Sequence, residues 1–158
     1  MATEDLTRAL DEVGAAYELL THAHTESAFA EAQALGLEPD DVAKTLIVKT
    51  LGGYLRAVVP ASGRLDGRKL RDLTGGRKKD VHLATEDDLR RDYPDFELGA
   101  VPPVGGARRD PVIVDSRVTA RGSVVFEAGS HEQSVRIATS DLVRAAAAEV
   151  ADICKEDS

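Results

Sequence analysis

Hydrophobic positions along this chain recur with two periods. Leu6, Leu10 and Val13 stand four and three residues apart, which predicts an amphipathic first helix with Thr3 as N-cap, Glu4 and Asp5 in its first turn and Gly14 as its stop. Residues 17–21 read as a strand. Ser27 then opens a second helix that turns Ala28, Phe29, Ala32 and Leu35 inward and ends at Gly36, and Pro39, Asp40 and Asp41 predict one short turn. Residues 44–50 and 54–59 alternate and are rich in β-branched side chains. With Leu51, Gly52 and Gly53 between them they predict a hairpin.

Further along, residues 65–73 predict a short helix, 79–84 a strand, and Thr85 with Asp88 a capping box that opens another short helix. A loop dense in glycine and proline spans 99–106. Strands follow at 112–115, 124–128 and 135–138. A last helix opens at Thr139 or Ser140, buries Leu142, Ala146, Val150 and Ile153, and carries Cys154 in its last turn. Six or seven strands and four or five helices grouped near the ends do not alternate regularly, so the pattern predicts an α+β fold with a mixed sheet rather than a doubly wound one. No repeat, low-complexity tract or linker interrupts it, and 158 residues suit a single domain over 1–158.

Composition narrows the function classes. Twenty basic against 28 acidic residues give a net charge of −8, so the chain as a whole is not built to coat a nucleic acid or an anionic membrane. No run of about 18 apolar residues and no signal-peptide plan at the start, together with a single cysteine, make the cytoplasm the expected compartment. Cys154 has no partner for a bridge and reads as a small core hydrophobe. The charge is uneven: residues 64–79 hold seven basic side chains (Arg64, Arg68, Lys69, Arg71, Arg77, Lys78, Lys79) against Asp66 and Asp72, a solvated helix face or a landing strip for a few phosphates.

The common catalytic signatures are missing. Residues 63–69 imitate a phosphate loop but are one residue short between glycines and lack the Ser or Thr after the lysine. Dinucleotide-binding and serine-hydrolase motifs do not occur. Two features remain. Lys44 begins a strand on whose one face Leu46 and Val48 follow, so an ammonium either snorkels at the strand end or stands at the mouth of an apolar row, where it can hold a phosphate or an ester carbonyl. Around Pro102 and Pro103 the backbone is stiff, and a rigid loop with bare amides can bind an oxyanion. Since prolines have no N–H, the donors must come from Gly99, Ala100, Val101 or the residues after Pro103.

Read in order, Val-Ala-Lys44-Thr-Leu-Ile-Val-Lys, Tyr-Leu-Arg-Ala-Val-Val-Pro60, Arg64-Leu-Asp-Gly-Arg-Lys-Leu, Leu83-Ala-Thr-Glu-Asp-Asp-Leu, Gly99-x-x-x-Pro103, Pro111-Val-Ile-Val-Asp115 and Glu127-Ala-Gly129 resemble the YbaK / prolyl-tRNA synthetase editing-domain family over most of the chain. The resemblance implies a mixed, partly barrelled sheet flanked by helices and a freestanding deacylase that hydrolyses the ester of a mischarged tRNA, Cys- or Ala-tRNA(Pro) in type. It implies that Lys44 positions the substrate near the terminal adenosine. It also implies that the Gly99, Ala100, Val101 and Pro103 loop sets backbone amides at the scissile carbonyl, with water and a ribose hydroxyl doing the rest and no metal, cofactor or protein nucleophile. Thr45, Leu46, Asp115, Gly129 and His131 then fall to substrate binding, and Arg64, Arg68, Lys69 and Arg71 to the tRNA. Thr45 after the lysine is closer to the cysteine-clearing type. The partners implied are the acceptor end of a mischarged tRNA and an aminoacyl-tRNA synthetase, with no membrane.

Two other readings stand beside this one. Lacking a conventional acid, base or nucleophile set, the same pocket suits a non-catalytic module that holds a small molecule, a nucleotide or a tRNA end. His22 and His24, two apart at a strand end, suggest a metal-dependent hydrolase.

Overall fold

The computed structural model describes residues 2–156. Its elements run α1 (Ala2–Glu12), β1 (Tyr17–Thr21), α2 (Ala28–Leu35), β2 (Ala43–Thr50), β3 (Gly53–Pro60), α3 (Gly67–Thr74), β4 (His82–Leu83), α4 (Glu86–Asp92), β5 (Val112–Asp115), α5 (Ser116–Thr119), β6 (Ser123–Ser130), β7 (Gln133–Ala138), α6 (Thr139–Ala146) and β8 (Glu149–Ala151). Single 3-10 turns lie at Pro39–Asp41 and Lys78–Asp80. None of these helices is long and apolar enough to cross a membrane.

The strands form an antiparallel sheet in the order β1-β7-β6 and a mixed one in the order β4-β2-β3-β5-β8. The hairpin β2–β3 is antiparallel, whereas β3–β5 and β5–β8 run parallel. Neither sheet closes into a barrel, and an isolated parallel bridge between Val42 and Val125 joins the two. The central strands are covered on both faces. Val58, Val112 and Val114 pack with Leu6, Leu10, Phe126, Ile137 and Leu142, while Ala57, Val59 and Ile113 pack with Leu70, Ile153 and Cys154. Burial on both sides is why these strands read as nearly unbroken apolar runs.

Local signals placed most elements. Ser27 Oγ accepts from Ala30 N, Gly36 ends α2 at φ 69°, and Thr85 and Asp88 form the expected capping box. Tertiary packing overrode others. Helix α1 begins before Thr3, whose hydroxyl instead donates to the Gln133 side chain. The inward face of α2 is Ala28, Ala32 and Leu35, and Phe29, one position round the helix, is exposed. The strand expected over 79–84 shrinks to two residues after a 3-10 turn.

The largest departure is at the C-terminus. Helix α6 stops at Ala146 because Ala147 takes a left-handed conformation at φ 48°, after which residues 149–151 pair in parallel with β5. The run of alanines favours helix, but the Asp115 carboxylate captures the N–H groups of Ile153 and Cys154 at 2.9 and 3.1 Å and draws the segment into the sheet. Val150 is accordingly exposed, and Cys154 sits buried in extended chain paired with Leu65 rather than in a helix.

Candidate active site

The bridge at Val42–Val125 marks where the two sheets part. Beyond it, β4 pairs with β2 only at Val48 and Lys49, so residues 43–46 have β3 on one side and an open edge on the other. A cavity of about 180 Å³ opens along that edge, walled by Ala43, Lys44, Thr45 and Leu46 of β2, Gly99, Ala100 and Val101, Phe126 and Glu127 of β6, and Ser27 and Ala28 at the start of α2. It is smaller than the roughly 300–1,000 Å³ of pockets for drug-sized ligands. Only a small group fits.

Strand register decides which way the β2 side chains lean. Lys44 stands opposite Val59 and Leu46 opposite Ala57, on the face that packs with Cys154 and Leu65, whereas Thr45 and Ile47 belong to the face toward the loop. Lys44 therefore borders the cavity from the far side of the edge. Burial pulls its ammonium below the ordinary lysine value, and Arg64 adds to that while Cys154 opposes it. Arg64 and Cys154 line a second hollow of about 900 Å³ together with Arg117, Arg121 and Lys155.

The proline loop is held from behind by a residue that the sequence analysis passed over. Arg56 on β3 is 2% exposed and donates to the carbonyls of Pro102 at 2.9 Å and Gly105 at 2.7 Å, with its guanidinium 5.3 Å from the Tyr93 ring centroid. Its only sequence signal is a lone charge in an apolar strand. Gly105, at φ 98°, lies so close to α1 that a Cβ would meet the Leu6 Cα at 2.9 Å, and this closeness seats the loop on that helix.

Within the loop, Ala100 N–H is taken by the Glu97 carbonyl at 2.9 Å. That leaves Gly99 and Val101 as the donors able to face a substrate. The orientation of one is set by His131, whose Nε2 donates to the Leu98 carbonyl at 2.7 Å. Leu98 C=O and Gly99 N–H belong to one planar trans peptide, so fixing the carbonyl toward the ring aims the N–H away from it. Gly99 itself has φ 84° and lies over the imidazole.

His131 is buried behind the loop and does not line the cavity. Its Nδ1 meets Glu127 Oε2 at 2.8 Å and its own N–H donates to Glu97. Burial pushes the Glu127 carboxyl up to about 7 against the pull of the ring. Burial also works against the charged imidazole, but the Leu98 carbonyl and Glu127 outweigh it and raise His131 above its usual value. Gly129, at φ 92°, receives Glu97 N–H on its carbonyl and so ties the loop to β6.

Other expected site residues lie elsewhere. Asp115 is fully buried and accepts from the N–H groups of Arg117, Ile153 and Cys154, which makes it the clasp of the C-terminal segment, away from the cavity. Lys69 is partly exposed, but its ammonium is engaged by Asp152, Glu156 and the Cys154 carbonyl. Arg68 and Arg71 stay on α3 outside the cavity, and Arg64 borders the larger hollow. His22 bonds Ala23 O and Ser134 Oγ, and His24 pairs with Glu26. No group of three or more metal-ligating side chains converges among the described residues. The Cys154 thiol is pushed up to about 12 by burial and by Asp115, a core group and not a nucleophile.

Known proteins resemble this chain in sequence and fold. The model of the aminoacyl-tRNA editing domain matches residues 22–145. A solved structure called a "putative trans-editing enzyme for prolyl tRNA synthetase" is 26% identical, with 98% of each chain covered and a TM-score of 0.87. A hypothetical protein, APE2540, is 25% identical over 96% of this chain and 99% of its own, at 0.86. A solved structure from Marinobacter aquaeolei called a "Putative signal transduction protein" shares the fold alone, at 16% identity and a TM-score of 0.72, and this fold makes up 31% of that longer chain. The chain belongs to the aminoacyl-tRNA editing-domain family.

Proposed function

We propose that this protein is an aminoacyl-tRNA deacylase that hydrolyses the ester of a mischarged tRNA of the Cys- or Ala-tRNA(Pro) type. The observation that carries the reading is that the open edge of β2 at Lys44 and the loop at 99–101 border one small cavity. In this reading the aminoacyl group enters that cavity with the scissile carbonyl toward Gly99 and Val101 N–H. The terminal nucleotide crosses Lys44 toward Arg64 and the larger hollow. An aminoacyl ester is already activated, so aligning water or a ribose hydroxyl and stabilising the developing oxyanion is enough for catalysis. The size of the hollow favours a small acyl side chain.

The test is deacylation of a panel of tRNA(Pro) charged with alanine, cysteine and proline. Turnover of a small misacylated form with the proline form spared is the expected result. Saturable binding without turnover of any charged tRNA would replace the enzyme with a binding module.

A further inference from the structure

A reading in which an aminoacyl ester occupies the cavity leaves one group of that ester unprovided for. The ester carries an α-ammonium one carbon from the scissile carbonyl, and a positive charge moved into a small hollow needs a counter-charge. Of the residues that line the cavity, Glu127 alone is acidic. Among the described residues no lysine or arginine pairs with it: its partner is His131 Nδ1, which occupies Oε2.

We propose that the Glu127 carboxylate is the receptor for the substrate's α-ammonium group and that His131 is its positioning residue. This inference rests on the deacylase reading and names the part of the substrate that the acid recognises.

The imidazole has two fixed attachments. One ring nitrogen is bonded to Glu127, and the other to the carbonyl of the peptide whose N–H belongs to Gly99. A single rigid ring thus holds both an acceptor for the ammonium and the peptide that carries a donor for the carbonyl oxygen. Every α-aminoacyl ester carries those two groups, whatever its side chain. Recognition through them selects esters of α-amino acids over other esters while leaving the side chain to be judged by the remaining walls.

The electrostatics run the same way. Burial lifts the Glu127 carboxyl to about 7, and an ammonium beside it favours the ionised form. The neighbours that face this pair are Glu97 from the loop, Glu26 and His24 before α2, and Glu31 inside α2. Glu97 and Glu26 contribute negative charge, Glu31 is held mainly protonated by burial, and the Lys44 ammonium borders the same cavity.

The experiment compares alanyl-tRNA(Pro) with its N-acetylated form in single-turnover deacylation. The wild-type protein should hydrolyse the free-amine form about 100-fold faster, and Glu127→Gln should lose that margin by slowing the free-amine substrate alone. His131→Gln, whose amide can still donate to Leu98 O, should keep the loop but weaken discrimination. In parallel, calorimetry measures binding of the non-hydrolysable alanyl amide of 3′-amino-3′-deoxyadenosine and of its N-acetyl derivative. Preference for the free amine, abolished in Glu127→Gln, supports the inference even if no turnover is seen, which would fail the deacylase reading alone. Equal handling of free and acetylated compounds by the wild-type protein overturns it, as does full discrimination in a folded Glu127→Gln.

Discussion

Arg56 and Pro102 are joined across 46 residues of sequence by a buried hydrogen bond of 2.9 Å from guanidinium to carbonyl. With the companion bond to Gly105 it converts a loop without regular structure into a fixed wall of the cavity. Proline stiffness restricts the torsions of that loop. The guanidinium fixes its place.

Replacing Arg56 by leucine takes the guanidinium donors from the carbonyls of Pro102, Gly105 and Arg108. We expect a loss of about 3 kcal/mol or more in chemical denaturation. Deacylation should fall further than the folded fraction does, because the surviving native protein no longer holds the loop.

Lys44 makes no ion pair among the described residues and is only partly buried, so its removal should leave the fold unharmed. Lys44→Ala should lower the single-turnover deacylation rate by about 100-fold, roughly 2.7 kcal/mol of barrier, with an unchanged melting temperature. A rate equal to that of the wild type would take the ammonium out of the reaction.

Arg64 and Lys69, five residues apart, should behave differently. The affinity for tRNA should fall with salt, at a log–log slope near −0.7 per single-strand phosphate contact. Arg64→Ala should flatten that slope at little cost in stability. Lys69→Ala should leave the slope alone and loosen the C-terminal segment, visible as faster amide exchange at Ile153 and Cys154, since its ammonium ties Asp152, Glu156 and the Cys154 carbonyl to α3.

Glu31 gives the protein a pH dependence of stability. Burial lifts its carboxyl to about 8, while Ser134 works in the opposite direction, and Oε1 has no partner. A carboxyl whose folded pKa is raised is most favourable when protonated. Its contribution is complete below the unfolded value near 4.5 and disappears as pH rises toward 8. Glu31→Gln should be more stable than the wild type by about 2 kcal/mol above pH 8, with the difference vanishing in mild acid. Denaturation midpoints across that range check the sign.

The sequence shows the walls of the site better than their supports. Lys44, Thr45 and the loop residues 99–101 are legible because strand alternation and the paired prolines that follow are local properties, although Pro102 and Pro103 do not themselves line the cavity. Arg56 and Glu31 are not, because a charged side chain within an apolar run or on a helix ordinarily faces water, and only the assembled fold shows the carbonyls and hydroxyl that receive them. The turn from α6 into β8 is hidden for a related reason. Residues 145–148 are four alanines, and nothing within them reveals that Asp115, more than 30 residues earlier, waits to bind the chain beyond.

The junction at Val42 and Val125 has a consequence for selectivity. Each strand flanking the hollow belongs to a different sheet, so its width is governed by the angle at which the sheets splay as well as by the residues that line it. A bulkier side chain at either valine would act as a wedge at the apex. On the deacylase reading proposed above, the preference for one misplaced amino acid over another would then be open to retuning by changes that no substrate ever touches.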